Sequence, residues 1–238
     1  MKKEILIIAA THGDEKIGIE VINELKKEKL NNFFDYMIAN SKALEINKRY
    51  LDKDLNRSYP GKKFSRFYEK RVAYRNLMMA KKYRYVIDIH EASKGKDDFI
   101  IVPKENLKIN FPLNYIKLNT ILLWPDPKGS ISQALNNAVE LEFGSKNRDR
   151  KEMINKAVRI IKNFIYCINK NEKVEVKENK KVFFVYGLLK KEDFNGDMGS
   201  VIDFEQIDID GEKFLPLLVG QYLNLGIVCY KMKKASKF

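Results

Sequence analysis

The residues of this chain best suited to chemistry are a histidine, a glutamate and a second histidine. His12-Gly13-Asp14-Glu15 follows directly on the apolar run Ile5-Leu6-Ile7-Ile8-Ala9-Ala10. A short apolar run bounded by polar residues reads as a fully buried strand. The H-x-x-E group therefore lies where a strand of an α/β sheet ends, which is where such sheets bind ligands. Imidazole and carboxylate are zinc ligands, and Gly13 permits a turn tight enough for two of them to reach one ion. The chain has two histidines in 238 residues. The other, His90, ends a second strand-like run, Tyr85-Val86-Ile87-Asp88-Ile89-His90. One such histidine alone reads as a polar residue in a turn. The pair together with Glu15 reads as a site for one zinc ion per chain.

The elements that must position these groups follow from hydrophobic periodicity. Ile17, Val21, Ile22 and Leu25 predict a helix over about 16–29, and 34–39 a second strand. Residues 48–61 are dense in groups that recognise carboxylates: Arg57 offers a planar fork, Asn56 a neutral donor beside it, and Arg49 a second guanidinium. Taken alone, this stretch also reads as a charged loop paired with its own Asp52 and Asp54. A helix is predicted over 64–83, and strands over 85–90, 99–102 and 121–124. Ser130 is a candidate cap for a short helix over 131–136. Residues 138–144 read as a strand with Glu140 and Glu142 on one face. Alternation does not say which of the two is the useful one.

Spacings of three and four from Ile154 to Ile168 give the clearest amphipathic helix in the chain, over 149–169. Residues 169–180 read as a linker or weak edge strand. Beyond them come short β-like runs at 182–186, 200–204, 214–219 and 227–230, with Asn195-Gly196 and Asp210-Gly211 as turn pairs. The expected organisation is a catalytic domain over 1–170 and a small β-rich domain over 171–238.

Composition narrows the function classes. An apolar fraction of 45% is that of a globular protein, and no apolar run approaches the ~20 residues needed to span a bilayer. The N-terminal run is too short for a signal peptide, so a cytoplasmic protein without membrane contact is expected. Cys167 and Cys229 lie far apart without C-x-x-C spacing, which argues against a cysteine-held zinc or a disulfide framework. A histidine and carboxylate set leans towards a catalytic metal. The net charge of +13 invites a nucleic-acid reading. The basic residues are spread along the chain among acids, however, and read as a solvated surface that also steers anionic substrates.

The order H-x-x-E, Arg49 through Asp54-Leu55-Asn56-Arg57, a D-I-H strand end and Leu141-Glu142-Phe143-Gly144 resembles the succinylglutamate desuccinylase and aspartoacylase family, related to the zinc carboxypeptidases. The similarity covers nearly the whole chain, and residues 49–57 are its most specific part. The resemblance implies an α/β fold, a zinc-carboxypeptidase-like mixed sheet flanked by helices with a β-rich C-terminal part. It implies that His12, Glu15 and His90 bind zinc, that Asn56 and Arg57 hold a substrate α-carboxylate, and that Arg49 polarises the scissile carbonyl. It implies Glu142, not Glu140, as the catalytic glutamate, and Tyr222 as a residue facing the substrate. Three departures stand out. The chain is short for the family, Asp14 replaces a more common asparagine, and residues 129–139 lack the arginine with which aspartoacylases bind an aspartate side chain, leaving Lys128 as the only nearby cation.

The implied chemistry is hydrolysis of the amide of an N-acyl amino acid, a small anionic substrate. Zinc lowers the pKa of its water towards about 7 and Glu142 takes the proton. A carboxypeptidase or peptide amidase would use the same groups. A catalytically silent basic binding module is the non-enzyme reading, and it predicts steeply salt-dependent nucleic-acid binding without need of zinc.

Overall fold

The computed structural model describes residues 3–104, 107–126, 128–170 and 180–235. The apolar runs read from the sequence form strands β1 (Ile5–Ala9), β2 (Phe34–Ile38), β3 (Tyr85–Ala92), β4 (Asp98–Val102), β5 (Thr120–Leu123) and β6 (Ala138–Gly144). The helices are α1 (Ile17–Lys27), α2 (Ser41–Glu45), α3 (Tyr68–Ala80), α4 (Ile131–Ala134) and α5 (Arg150–Lys170). The C-terminal strands are β7 (Lys181–Lys190), β8 (Ile207–Ile209), β9 (Glu212–Leu217) and β10 (Ile227–Lys234).

Among the described residues the ten strands join one mixed sheet, in the order β2-β1-β3-β6-β4-β5-β7-β10-β9-β8. Strands β2, β1, β3 and β6 pair in parallel, β4 turns antiparallel against β6, and β7 pairs parallel to β5. The C-terminal strands then continue the sheet antiparallel through β10, β9 and β8. The β-rich part thus extends the sheet that carries the first 170 residues. The expected linker or edge strand at 169–180 falls mostly outside the described residues, 171–179 not being among them.

Both faces of the parallel half are covered, which is why β1 is apolar at every position. Ile5, Ile7 and Ala9 pack with α1 and α5, whereas Leu6 and Ile8 pack with α3 and α4. That division is the two-residue period of a strand expressed in the core. Among the described residues no helix is long and apolar enough to cross a membrane.

Two predicted boundaries move for identifiable reasons. The helix expected from 64 begins at Tyr68, whose backbone N–H donates to Asp52 Oδ2 at 2.7 Å, so its cap comes from the preceding loop. Residues 200–204, expected as a strand, form none: Ser200 ends a single 3-10 turn at Met198–Ser200, where Asp197 accepts from Gly199 N, and Asp203-Phe204 make a turn. The Asp210-Gly211 turn does join β8 to β9, with both residues at positive φ as a two-residue hairpin loop requires. Ser130 caps α4, its Oγ accepting from Gln133 N at 3.1 Å.

Candidate active site

Parallel pairing of β1, β3 and β6 brings their carboxyl ends together, and the site forms there. The register sets His90 opposite Glu142 and Asp88 opposite Glu140, so four ionisable side chains share one patch of one sheet face. From β1 the chain turns sharply through His12 to Glu15. Gly13 is required in that turn: a Cβ would stand 2.2 Å from the backbone carbon of Ala43 in α2. Its N–H donates to Arg49 O at 3.2 Å, tying the turn to the arginine-bearing loop.

That loop, residues 49–57, is held from below by Glu69, a fully buried carboxylate on α3. It accepts the N–H groups of Leu51 at 2.7 Å, Asp52 at 3.0 Å and Lys53 at 3.1 Å. Leu55–Arg57 then makes one 3-10 turn, capped by Asp54, whose Oδ1 accepts from Asn56 N at 2.8 Å. Gly129 lies against this turn, where a Cβ would meet Arg57 backbone atoms at 2.6 Å.

His12 Nδ1 lies 2.6 Å from Glu15 Oε1 and His90 Nδ1 lies 3.0 Å from Glu15 Oε2. The three ligand atoms fall within 4.8 Å of one another, and all three side chains are buried. Ligands bound at 2.0–2.1 Å to one tetrahedral zinc sit about 3.3 Å apart, so this donor set fits the ion. The outer ring nitrogens face carboxylates as well. His12 Nε2 is 3.1 Å from Asp54 Oδ1. His90 Nε2 is 3.1 Å from Asp88 Oδ2, an ion-pair distance without hydrogen-bond alignment. Asp88 is itself held by Thr11 Oγ1, which donates to both its oxygens at 2.9 Å. Carboxylates behind histidines fix the ring orientation and raise ligand basicity.

Burial works against charge throughout, and close partners decide the outcome. Burial would lower the His12 and His90 pKa values, but Glu15 beside the first and Asp88 beside the second raise both. Burial would raise Glu15, but His12 and His90 hold it well below the ordinary carboxylate range. Glu142 has no such relief. Burial first, then Glu15, push its carboxyl up to about 8, with Glu140 adding to the rise and the histidines opposing it. A divalent cation on the three ligands would pull it back down.

All eight side chains singled out in the sequence line one cleft: His12, Glu15 and His90, with Glu142, Arg49, Asn56, Arg57 and Tyr222. Arg49 donates to Glu15 Oε1 at 3.0 Å, sits 3.4 Å from Asp54 Oδ2, and lies 5.8 Å from the centre of the Tyr222 ring. The sequence reading does not single out Asp88 or Glu69, takes Asp54 only as a partner for the charges of its own loop, and leaves Glu140 as one of two carboxylates on a strand face. Asp88 was legible, since D-x-H on a strand puts both side chains on one face. Asp54 and Glu69 depend on how a loop closes, and nothing in local sequence reports that.

Residues 1–168 match the family described as the succinylglutamate desuccinylase/aspartoacylase catalytic domain. A probable aspartoacylase of Prochlorococcus marinus is 27% identical over 232 residues, covering 87% of this chain and 77% of that one. A probable aspartoacylase of Trichodesmium erythraeum is 26% identical over 60% of this chain, and the match spans only 52% of that protein's length. Among solved structures, succinylglutamate desuccinylase from Chromobacterium violaceum superposes with a TM-score of 0.75 at 19% identity, covering 99% of this chain and 85% of that one. Murine aminoacylase 3 gives 0.71 at 16%, covering 98% and 95%. At these identities the structures speak for the fold, and the mixed sheet flanked by helices is theirs. The family match takes in β1 through nearly all of α5, and with it every element that carries the candidate metal ligands: the chain belongs to the succinylglutamate desuccinylase/aspartoacylase family.

Proposed function

We propose that the protein is a zinc-dependent deacylase that hydrolyses the amide bond of an N-acyl amino acid. The observation that carries this reading is the convergence of a two-histidine, one-carboxylate donor set with Glu142 and two arginines in a single cleft. A zinc ion held by His12, Glu15 and His90 would supply Lewis acidity and an acidified water.

The protein's own groups do the remaining work. Glu142, half-buried at the end of β6, takes a proton at its carboxylate and returns it to the leaving amide nitrogen. Arg49 is anchored by Glu15 and Asp54 and so points a fixed cation at the carbonyl oxygen where negative charge develops. Arg57 takes the α-carboxylate, which fixes the substrate's direction in the cleft and turns binding into orientation. Tyr222 stands across the cleft beside Arg49 and faces the bound substrate. The products are a carboxylic acid and an amino acid.

The test is Glu142→Gln in protein loaded with zinc, assayed on a panel of N-acyl amino acids and short peptides. Zinc content is expected to stay near one per chain while kcat falls by about 10²–10⁴-fold. Undiminished turnover would remove Glu142 from the proton-carrying role. Cleavage of peptides alone would replace the deacylase with a peptidase.

A further inference from the structure

The cleft distributes its charges in a way the whole molecule does not. The chain carries +13, yet among the described residues Arg49 and Arg57 are the only lysines or arginines lining the cleft. Arg49 is already engaged by Glu15 and Asp54. Arg57 alone is left for a substrate carboxylate. Lys128 is exposed and outside the lining. Apart from the two arginines, the candidate metal ligands His12, Glu15 and His90, Glu142 and Tyr222, the ionisable side chains that line it are acids: Glu91, Asp126 and Glu140.

Glu140 is the most consequential of these. It projects from β6 two residues before Glu142 and is only 5% exposed. One oxygen accepts the hydroxyl of Ser132 on α4, and the other accepts Asn56 Nδ2 at 3.1 Å. Both donors are neutral, and His90 Nε2 stands farther off at 3.9 Å. The bond to Glu140 also orients Asn56. One N–H of its amide donates to the carboxylate, while Oδ1 is buried without a partner among the described residues, on a side chain 7% exposed. This corner therefore offers oxygen acceptors. Among the described residues, the larger trough that continues outward past Trp124, Tyr186, Tyr222 and Tyr230 has no lysine or arginine beyond the same two.

We infer that the site accepts N-acyl amino acids carrying a single carboxylate, with a neutral or hydrogen-bond-donating acyl group and side chain, and that Glu140 is the residue that excludes a second carboxylate. The inference rests on the deacylase reading. A second carboxylate would lose its water beside Glu140 with no cation to meet it, and a desolvated like charge is strongly disfavoured. Its amide isostere suits the same space, since an –NH₂ group donates to the acceptors that repel an anion.

The experiment compares near-isosteric pairs on zinc-loaded protein: N-acetyl-asparagine against N-acetyl-aspartate, and N-acetyl-glutamine against N-acetyl-glutamate. The amide of each pair is expected to lead in kcat/KM by at least about tenfold, equivalent to about 1.4 kcal/mol, and Glu140→Gln is expected to close most of that gap. Equal or faster cleavage of the acids by the unaltered protein overturns the inference. A gap unchanged in Glu140→Gln removes Glu140 from it. Failure of the deacylase reading looks different, because none of the four compounds turns over. Calorimetric binding of the same pairs then decides, with tighter binding of the amides supporting the selectivity and equal or tighter binding of the acids overturning it. The comparison on the unaltered protein stands whether or not the variant folds.

Discussion

Glu69 touches no group placed in the chemistry, yet removing it should disable the site. Its two oxygens receive three consecutive backbone N–H groups of the 49–57 loop and, at 3.4 Å, Asn40 Nδ2. Hydrogen bonds to a charged acceptor contribute about 1.5–3 kcal/mol each. Leu51, Asp52 and Lys53 are exposed, so their freed N–H groups turn to water and the lower end applies. Glu69→Ala is expected to cost about 4–5 kcal/mol. At this chain length that lowers Tm by about 8–20 °C. Glu69→Gln should cost nearly as much, because one oxygen becomes an –NH₂ that faces N–H donors. The loop carries Arg49, Asn56 and Arg57, and also Asp54 behind His12, whereas the three metal ligands sit on β3 and on the turn after β1. At saturating zinc, metal content should therefore hold while KM for an N-acyl amino acid rises by about tenfold or more. Differential scanning calorimetry, metal analysis and steady-state kinetics on the two variants check this together. A Tm within about 2 °C of the parent with unchanged KM would refute the reasoning, since the loop would then be held by something other than Glu69.

Three further substitutions test the supports of the site and fold. Asp88→Asn and Asp54→Asn remove the negative charge behind His90 and His12, and each should weaken zinc binding by about 10–100-fold in chelator competition; unchanged affinity would show that ring orientation is set by packing alone. Asp98, its side chain 2% exposed, binds Arg148, Lys156 at 2.5 Å and Gly144 N at 3.1 Å. Asp98→Ala should therefore cost about 3 kcal/mol in urea unfolding, and a loss under about 0.5 kcal/mol would place that network among surface pairs of little consequence.

The sequence by itself determined the elements and the residue types. Apolar runs without alternation, as in Ile5–Ala9, specify strands buried on both faces, and the three-four spacing of 154–168 specifies α5, because burial acts on each residue locally and leaves its period in the chain. The scarcity of histidine, and the ending of two strands in His12 and His90, made the donor set legible before any contact was known. Tertiary structure alone decided the rest. The β3–β6 register places Glu142 beside His90 and Glu140 beside Asp88, and a slip of one residue would turn both glutamates to the opposite face. Loop closure brought Asp54 to His12 across 42 positions and Asn56 to Glu140 across 84. Glu140 read from sequence as a polar residue on a strand face. Only tertiary structure shows it buried among neutral donors in the same cleft as the candidate metal ligands. Local propensity encodes which face is apolar, but what a polar side chain meets depends on packing between segments distant in sequence, and no local pattern carries that information.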